Sequence, residues 1–136
     1  PTGNGKVSVT TAMPLDLGTF PIGGGKVSAK FSFKNTGIGP LSLLKGETSC
    51  MCTKATIQKN GETVSSTITM PMGAGSAPTR LDITLAPGEE AEIIAVYDPM
   101  AHGPTAVGPI KRDVIITTDS KETPEVKFSF FGNVVK

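Results

Sequence analysis

The sequence contains no tryptophan, one tyrosine, one histidine and two cysteines, and aromatic residues fill only 5% of its 136 positions. Each shortage excludes something. Without Trp, and with Cys50 and Cys52 one residue apart, the antibody-type core of a tryptophan packed on a sheet-spanning disulfide is ruled out. With His102 as the sole histidine, catalysis of the Ser-His or Cys-His kind would need partners gathered from elsewhere in the fold, and no motif groups them. Charged residues are 18% of the chain, and thirteen Lys+Arg against twelve Asp+Glu leave a net charge of +1. The two signs are interspersed, whereas a nucleic acid or an anionic membrane surface would call for a basic face. No apolar run approaches the ~18 residues of a membrane span. Acidic residues stand singly apart from Glu89 and Glu90, which gives a glycosidase-type carboxylate pair no support. Gly23-Gly24-Gly25-Lys26 fails as a phosphate loop, because Phe20 stands at the first glycine position and Val27 replaces the Ser or Thr that would hold magnesium. Nothing here amounts to an enzyme's constellation, and the expectation is a protein that is not an enzyme.

What is abundant is glycine, at 16 residues, and proline, at 11. Such a chain is poor in helix formers and rich in turns, which excludes a helical bundle or a coiled coil. Short runs of period two fill the spaces between the turn residues. From Lys26 to Lys34, Val27, Ala29, Phe31 and Phe33 interleave with Ser28, Lys30 and Ser32, the pattern of a strand with one buried and one wet face. Asn35-Thr36-Gly37-Ile38-Gly39-Pro40 has the residues of a turn, and Leu41 to Leu44 follows as a strand. Ala55 to Lys59 and Thr63 to Ile68 flank Asn60-Gly61, a dipeptide suited to the positive φ of a two-residue hairpin. Leu81 to Leu85 alternates and stops at Ala86-Pro87-Gly88-Glu89, where Pro sets the first turn position and Gly the second. Ala91 to Tyr97, Val114 to Thr118 and Val126 to Phe130 complete the series. Lys6 to Thr11 and Leu15 to Phe20 read as one N-terminal strand or a broken pair.

Seven to nine short strands in one domain predict an all-β, immunoglobulin-like antiparallel β-sandwich. Its core is expected to hold Phe31, Phe33, Ile93, Val96, Ile115, Phe128 and Phe130, with Lys30, Lys34 and Glu92 pointing outward. Residues 1–14 are read as an N-terminal extension or donor strand, and 15–136 as the sandwich, carrying an inserted hairpin and loop at about 58–78. At this length the chain buries roughly two-thirds of its unfolded surface, so neither metal nor disulfide is needed to hold it folded.

Cys50 and Cys52 carry the soft-ligand chemistry, and three readings stand side by side. In a strand both thiols face one side near the upper limit of disulfide distance, which allows a strained bridge. Two free thiols are the plain alternative. A Cu(I) site is the third, since two thiolates suffice for that ion, with Met51, Met70, Met72, Met100 and His102 as supplementary ligands. Otherwise those methionines are packing residues. Zinc lacks a fourth ligand. No cofactor is otherwise expected.

Several fragments also fall in a recognisable order. They are Leu17-Gly18-Thr19-Phe20, Phe31 to Gly37 with Pro40-Leu41, Ser49-Cys50-Met51-Cys52-Thr53, Leu85 to Glu89, Val96-Tyr97-Asp98, Ile115 to Asp119 and Phe131-Gly132-Asn133-Val134. In this order they resemble a bacterial domain-of-unknown-function family with an Asn-Thr-Gly turn and a Ser-Cys-Gly-Cys-Thr motif, itself similar to hydin-type immunoglobulin-like domains. Met51 stands where that motif has Gly, and the stretch from about Gln58 to Pro78 looks inserted. The resemblance implies an exported sandwich acting as a binding or structural module. The sequence opens at Pro1 without an initiator Met, which we read as a processed end and which agrees with an extracytoplasmic place, periplasmic, surface or secreted. The expected function is structural or by protein contact, including self-assembly into a surface or filament polymer. In that polymer Val7 and Val9 would complete a neighbour's sheet; otherwise they pair within their own chain as an ordinary first strand. The alternative is a copper-handling or thiol-redox protein using Cys50 and Cys52.

Overall fold

A computed structural model describes the chain except for residues 1–4, 12, 13, 50–52, 60, 66, 70–77, 102 and 104. The described residues form ten strands and no helix. In chain order these are β1 (Val7–Val9), β2 (Leu15–Pro21), β3 (Val27–Asn35), β4 (Leu41–Thr48), β5 (Thr53–Lys59), β6 (Glu62–Thr63), β7 (Thr79–Leu85), β8 (Glu90–Tyr97), β9 (Gly108–Thr118) and β10 (Glu125–Val135). They make two five-stranded sheets, ordered β1-β3-β8-β5-β6 and β2-β10-β9-β4-β7. The sandwich expected from period two is therefore present. The N-terminal pair is broken, with β1 antiparallel to β3 in one sheet and β2 parallel to β10 in the other, so one ladder is not antiparallel.

The core is built where the two sheets face each other. Phe31 and Phe33 on β3 meet Phe128 on β10 with ring centroids 5.6 and 5.5 Å apart, a tilted geometry favoured by ring quadrupoles. Tyr97 on β8 stands edge-on to Phe20 and Phe130, at 6.0 and 6.2 Å, and the Arg112 guanidinium lies 5.8 Å from its ring centroid. Phe31, Ile93 and Phe130 are fully buried.

Two expected core residues lie elsewhere. Val96 and Ile115 are only half-buried, because β8 turns Ala91, Ile93, Ala95 and Tyr97 inward and β9 turns Val114, Ile116 and Thr118 inward. Ile93-Ile94 and Val114-Ile115-Ile116 are consecutive apolar residues, and period two does not say which frame faces the core.

The turns follow their sequences. Gly88 has φ +85°, and the Glu89 amide donates to the Ala86 carbonyl at 2.9 Å, the arrangement of a turn with Pro87 first and a left-handed Gly second. Around Asn60-Gly61, Lys59 pairs with Glu62 and Gln58 with Thr63, and Gly61 has φ +81°. Asn60 itself lies outside the described residues. The second hairpin strand is shorter than expected. Beyond it the Val64 amide donates to the Ile57 carbonyl at 2.8 Å, the Ser65 hydroxyl accepts from the Ile57 amide at 2.8 Å, and Ile68 forms a bridge with Ala55. Ile68 is fully buried against Gly46, so the 58–78 stretch supplies a core residue.

Candidate functional site

Strand β8 is the central strand of its sheet, and its outward face, acidic at Glu90 and Glu92, turns aliphatic at Ile94 and Val96. Cross-strand register sets Ser28, Val96 and Lys54 in one row across β3, β8 and β5, and Lys30, Ile94 and Thr56 in the next. The half-buried Ile94 and Val96 form the floor of a groove of about 380 Å3. Thr67, from the segment after β6, and Ala101, from the turn after β8, also line it, as do Lys26, Lys54 and Asp98. Lys30 is held by Glu92 at 2.9 Å. Lys26 and Lys54 are exposed and have no ion-pair partner among the described residues. Asp98 is engaged locally, its Oδ1 accepting from the Met100 amide at 3.0 Å. The arrangement is an aliphatic trough with a cationic rim. The signal for it in the sequence is the pair Ile94 and Val96 in a strand whose buried frame is already filled.

Val7 and Val9 lie opposite Asn35 and Phe33 of their own chain, and Val7 is buried in the core. Side chains hold this segment at both ends. The Ser120 hydroxyl donates to the Gly5 carbonyl at 2.6 Å, and the Thr123 hydroxyl accepts from the Val7 amide at 3.0 Å. Further along, the Thr11 hydroxyl accepts from the Ser32 amide at 2.8 Å. In this structure the segment is the first strand of its own sandwich, paired within its own chain.

Asn35 joins three parts of the fold. Its Nδ2 donates to the carbonyls of Gly39 and Leu85 at 3.0 and 2.9 Å, and its Oδ1 accepts from the amides of Lys6 and Gly37 at 3.1 and 3.0 Å. Every hydrogen-bonding site of the carboxamide is used, and the residue is fully buried. Sequence reading placed a turn here but missed this role; the signal was an Asn at the inward frame of a strand that otherwise alternates cleanly.

Cys50, Cys52, Met51, Met70, Met72 and His102 lie outside the described residues. Their described flanks are joined. The Thr48 hydroxyl donates to the Thr53 carbonyl at 3.0 Å, the Thr48 amide to the Thr69 carbonyl at 3.3 Å, and Thr53 pairs with Tyr97. Met100 is described, exposed, and three residues beyond Tyr97.

Several solved structures share this architecture. A protein of unknown function from Porphyromonas gingivalis W83 superposes with a TM-score of 0.68 at 18% identity, covering 98% of this chain and 49% of that one. The ASH / PapD-like domain 7 of human CEP192 does so at 0.51 and 10% identity, over 99% of this chain and 87% of that one. The secreted serine protease VesC from Vibrio cholerae gives 0.52 at 15% identity, over 88% of this chain and 21% of that one. This chain thus spans about half the length of the Porphyromonas protein and a smaller part of VesC. These likenesses show the fold, an immunoglobulin- and PapD-like sandwich. No curated protein matches the sequence. Residues 9–74, a little under half of the chain, match the family described as "Protein of unknown function (DUF1573)", a domain-of-unknown-function family of the kind that the ordered fragments resemble.

Proposed function

We propose that this chain is a non-enzymatic, extracytoplasmic module of the hydin-like immunoglobulin type that works by protein contact, as a binding or assembly subunit. The observation that carries the reading is the outward pair Ile94 and Val96, two aliphatic side chains in a groove at the centre of a sheet face. Large aliphatics on the open face of a central strand are what a protein-binding surface presents. Several acidic side chains support the same reading, since they are engaged in holding the fold. Asp119 accepts from the Ser42 amide, Asp16 from the Gly18 amide and Asp113 from the Ser129 hydroxyl, while Glu89 pairs with Lys59. The extracytoplasmic part rests on the sequence resemblance.

The test places a photoreactive amino acid at position 94 in cells, with position 127 on the opposite sheet as control. The expected result is a discrete protein adduct from position 94 alone, of twice the chain mass if the partner is another copy. Absence of an adduct, or equal adducts from both positions, overturns the reading. Fractionation of the same cells tests the location.

One second reading, a copper-handling or thiol-redox role for Cys50 and Cys52, rests on the sequence alone. Intact mass with and without reductant, together with metal analysis of the purified protein, decides it. Stoichiometric copper retained through dialysis would promote this role over the first.

A further inference from the structure

We infer that the β8 groove takes an extended segment of a partner protein that presents aliphatic side chains and carboxylates on one face, a statement that rests on the protein-contact reading above. The floor selects first. Ile94, Val96 and Ala101 are aliphatic, and no aromatic ring lines the groove among the described residues. A sugar ring or a nucleic-acid base would find no stacking platform there. Branched aliphatic side chains would be buried on such a floor, which is favourable in proportion to the area removed from water.

The rim selects next. Lys26 and Lys54 have no ion-pair partner among the described residues, whereas Lys30, one row away on the same face, is held by Glu92. Asp98 offsets one of the two charges, and its Oδ1 is occupied by the Met100 amide, so the rim is net cationic with both ammonium groups available. Carboxylates on the occupant would meet them, and basic partners would be repelled. The spacing selects an extended conformation. Val96 and Ile94 are two residues apart in one strand, and their row neighbours Lys54 and Thr56 are two apart in the next, so features on this face repeat with a strand's period.

The experiment selects phage-displayed random short peptides on the wild-type protein and counter-selects on a Lys26→Glu, Lys54→Glu double variant. Both lysines are exposed, and a melting curve of the variant is the check that it is folded. Retained clones should be enriched in Asp or Glu two residues from Leu, Ile or Val, on one face of an extended chain. A fluorescent copy of the best clone should bind the double variant about tenfold more weakly, bind a Lys127→Glu control unchanged, and weaken as salt rises. Val96→Ser should weaken it as well. Failure to enrich any clone, enrichment of basic clones, or equal binding to wild type and double variant would overturn the proposal. Position-94 photocrosslinks that persist alongside such a failure would leave the contact face standing and remove only its acidic occupant; loss of both would remove the protein-contact reading too.

Discussion

Asn35 shows how much one side chain holds. Its carboxamide satisfies four backbone groups drawn from the start of β1, the 36–39 turn and the end of β7. Truncation to Ala would strand those groups in a buried site at about 1–3 kcal/mol each when they cannot reach water. We therefore expect Asn35→Ala to cost at least ~3 kcal/mol in chemical denaturation. Asn35→Asp should recover little, since a carboxylate keeps the acceptors but sets oxygen against the Gly39 and Leu85 carbonyls. A near-neutral Asn35→Ala would show that the turn is held by its backbone alone. Glu89 acts more weakly at the surface. The hydrogen bond from the Ala86 amide, and after it Lys59, hold its carboxyl below the usual carboxylate range. A carboxyl lowered in the folded state contributes stability that is present above its unfolded value and is lost as pH falls through the folded one. Glu89→Gln should leave the acid limb of the stability curve slightly shallower than wild type in that window; identical limbs would show that the pair contributes nothing.

At the scale of elements, what the sequence made legible depended on how cleanly each strand alternates. β3 was readable because Ser28, Lys30 and Ser32 separate its apolar residues, and Phe31 and Phe33 are buried as that pattern requires. β8 and β9 were readable as strands but not as faces, since Ile93 and Ile94, or Val114 to Ile116, satisfy either frame. The groove escapes sequence reading for the same reason, since period two alone allows Val96 a place in the core. A pair of substitutions checks the frame directly. Ile93→Ala should cost about 2–5 kcal/mol by opening a cavity, while Val96→Ser, on the half-buried face, should cost about 1 kcal/mol or less. Comparable costs would mean that the frame is reversed. The Phe131-Gly132-Asn133 motif also acquires a physical reason at this scale. A Cβ at Gly132 would sit 2.8 Å from the Phe20 ring and 3.0 Å from the Gly18 carbonyl, so β2 lies parallel to β10 at a distance only glycine permits. Gly132→Ala should cost about 1–3 kcal/mol in denaturant melts. No cost would show that β2 moves aside freely.

At the scale of the molecule, the open matter is whether the first strand belongs to its own sandwich or to a neighbour's. The strand pattern of Val7 and Val9 is the same in both cases, so periodicity could not choose. What decides it within one chain is long-range partnering that no local pattern reports: Gly5 with Ser120, Val7 with Thr123, and Lys6 with Asn35. Removing residues 1–12 would therefore bare the edge of β3, leave the Asn35 and Ser120 side chains short of partners and expose the pocket of Val7, whose burial alone is worth roughly 1.5–3 kcal/mol. Against a total stability of about 5–15 kcal/mol, the truncated chain should still fold, but with a clearly lowered melting temperature. A synthetic peptide of residues 1–12 should raise that temperature for the truncated chain and do nothing to the intact one, whose edge is already filled. A head-to-tail polymer would behave otherwise, because an exchanged strand makes the intact chain multimeric and the truncated chain monomeric in sedimentation. Intact chains that sediment as monomers, together with rescue confined to the truncated chain, would assign the strand to its own sandwich.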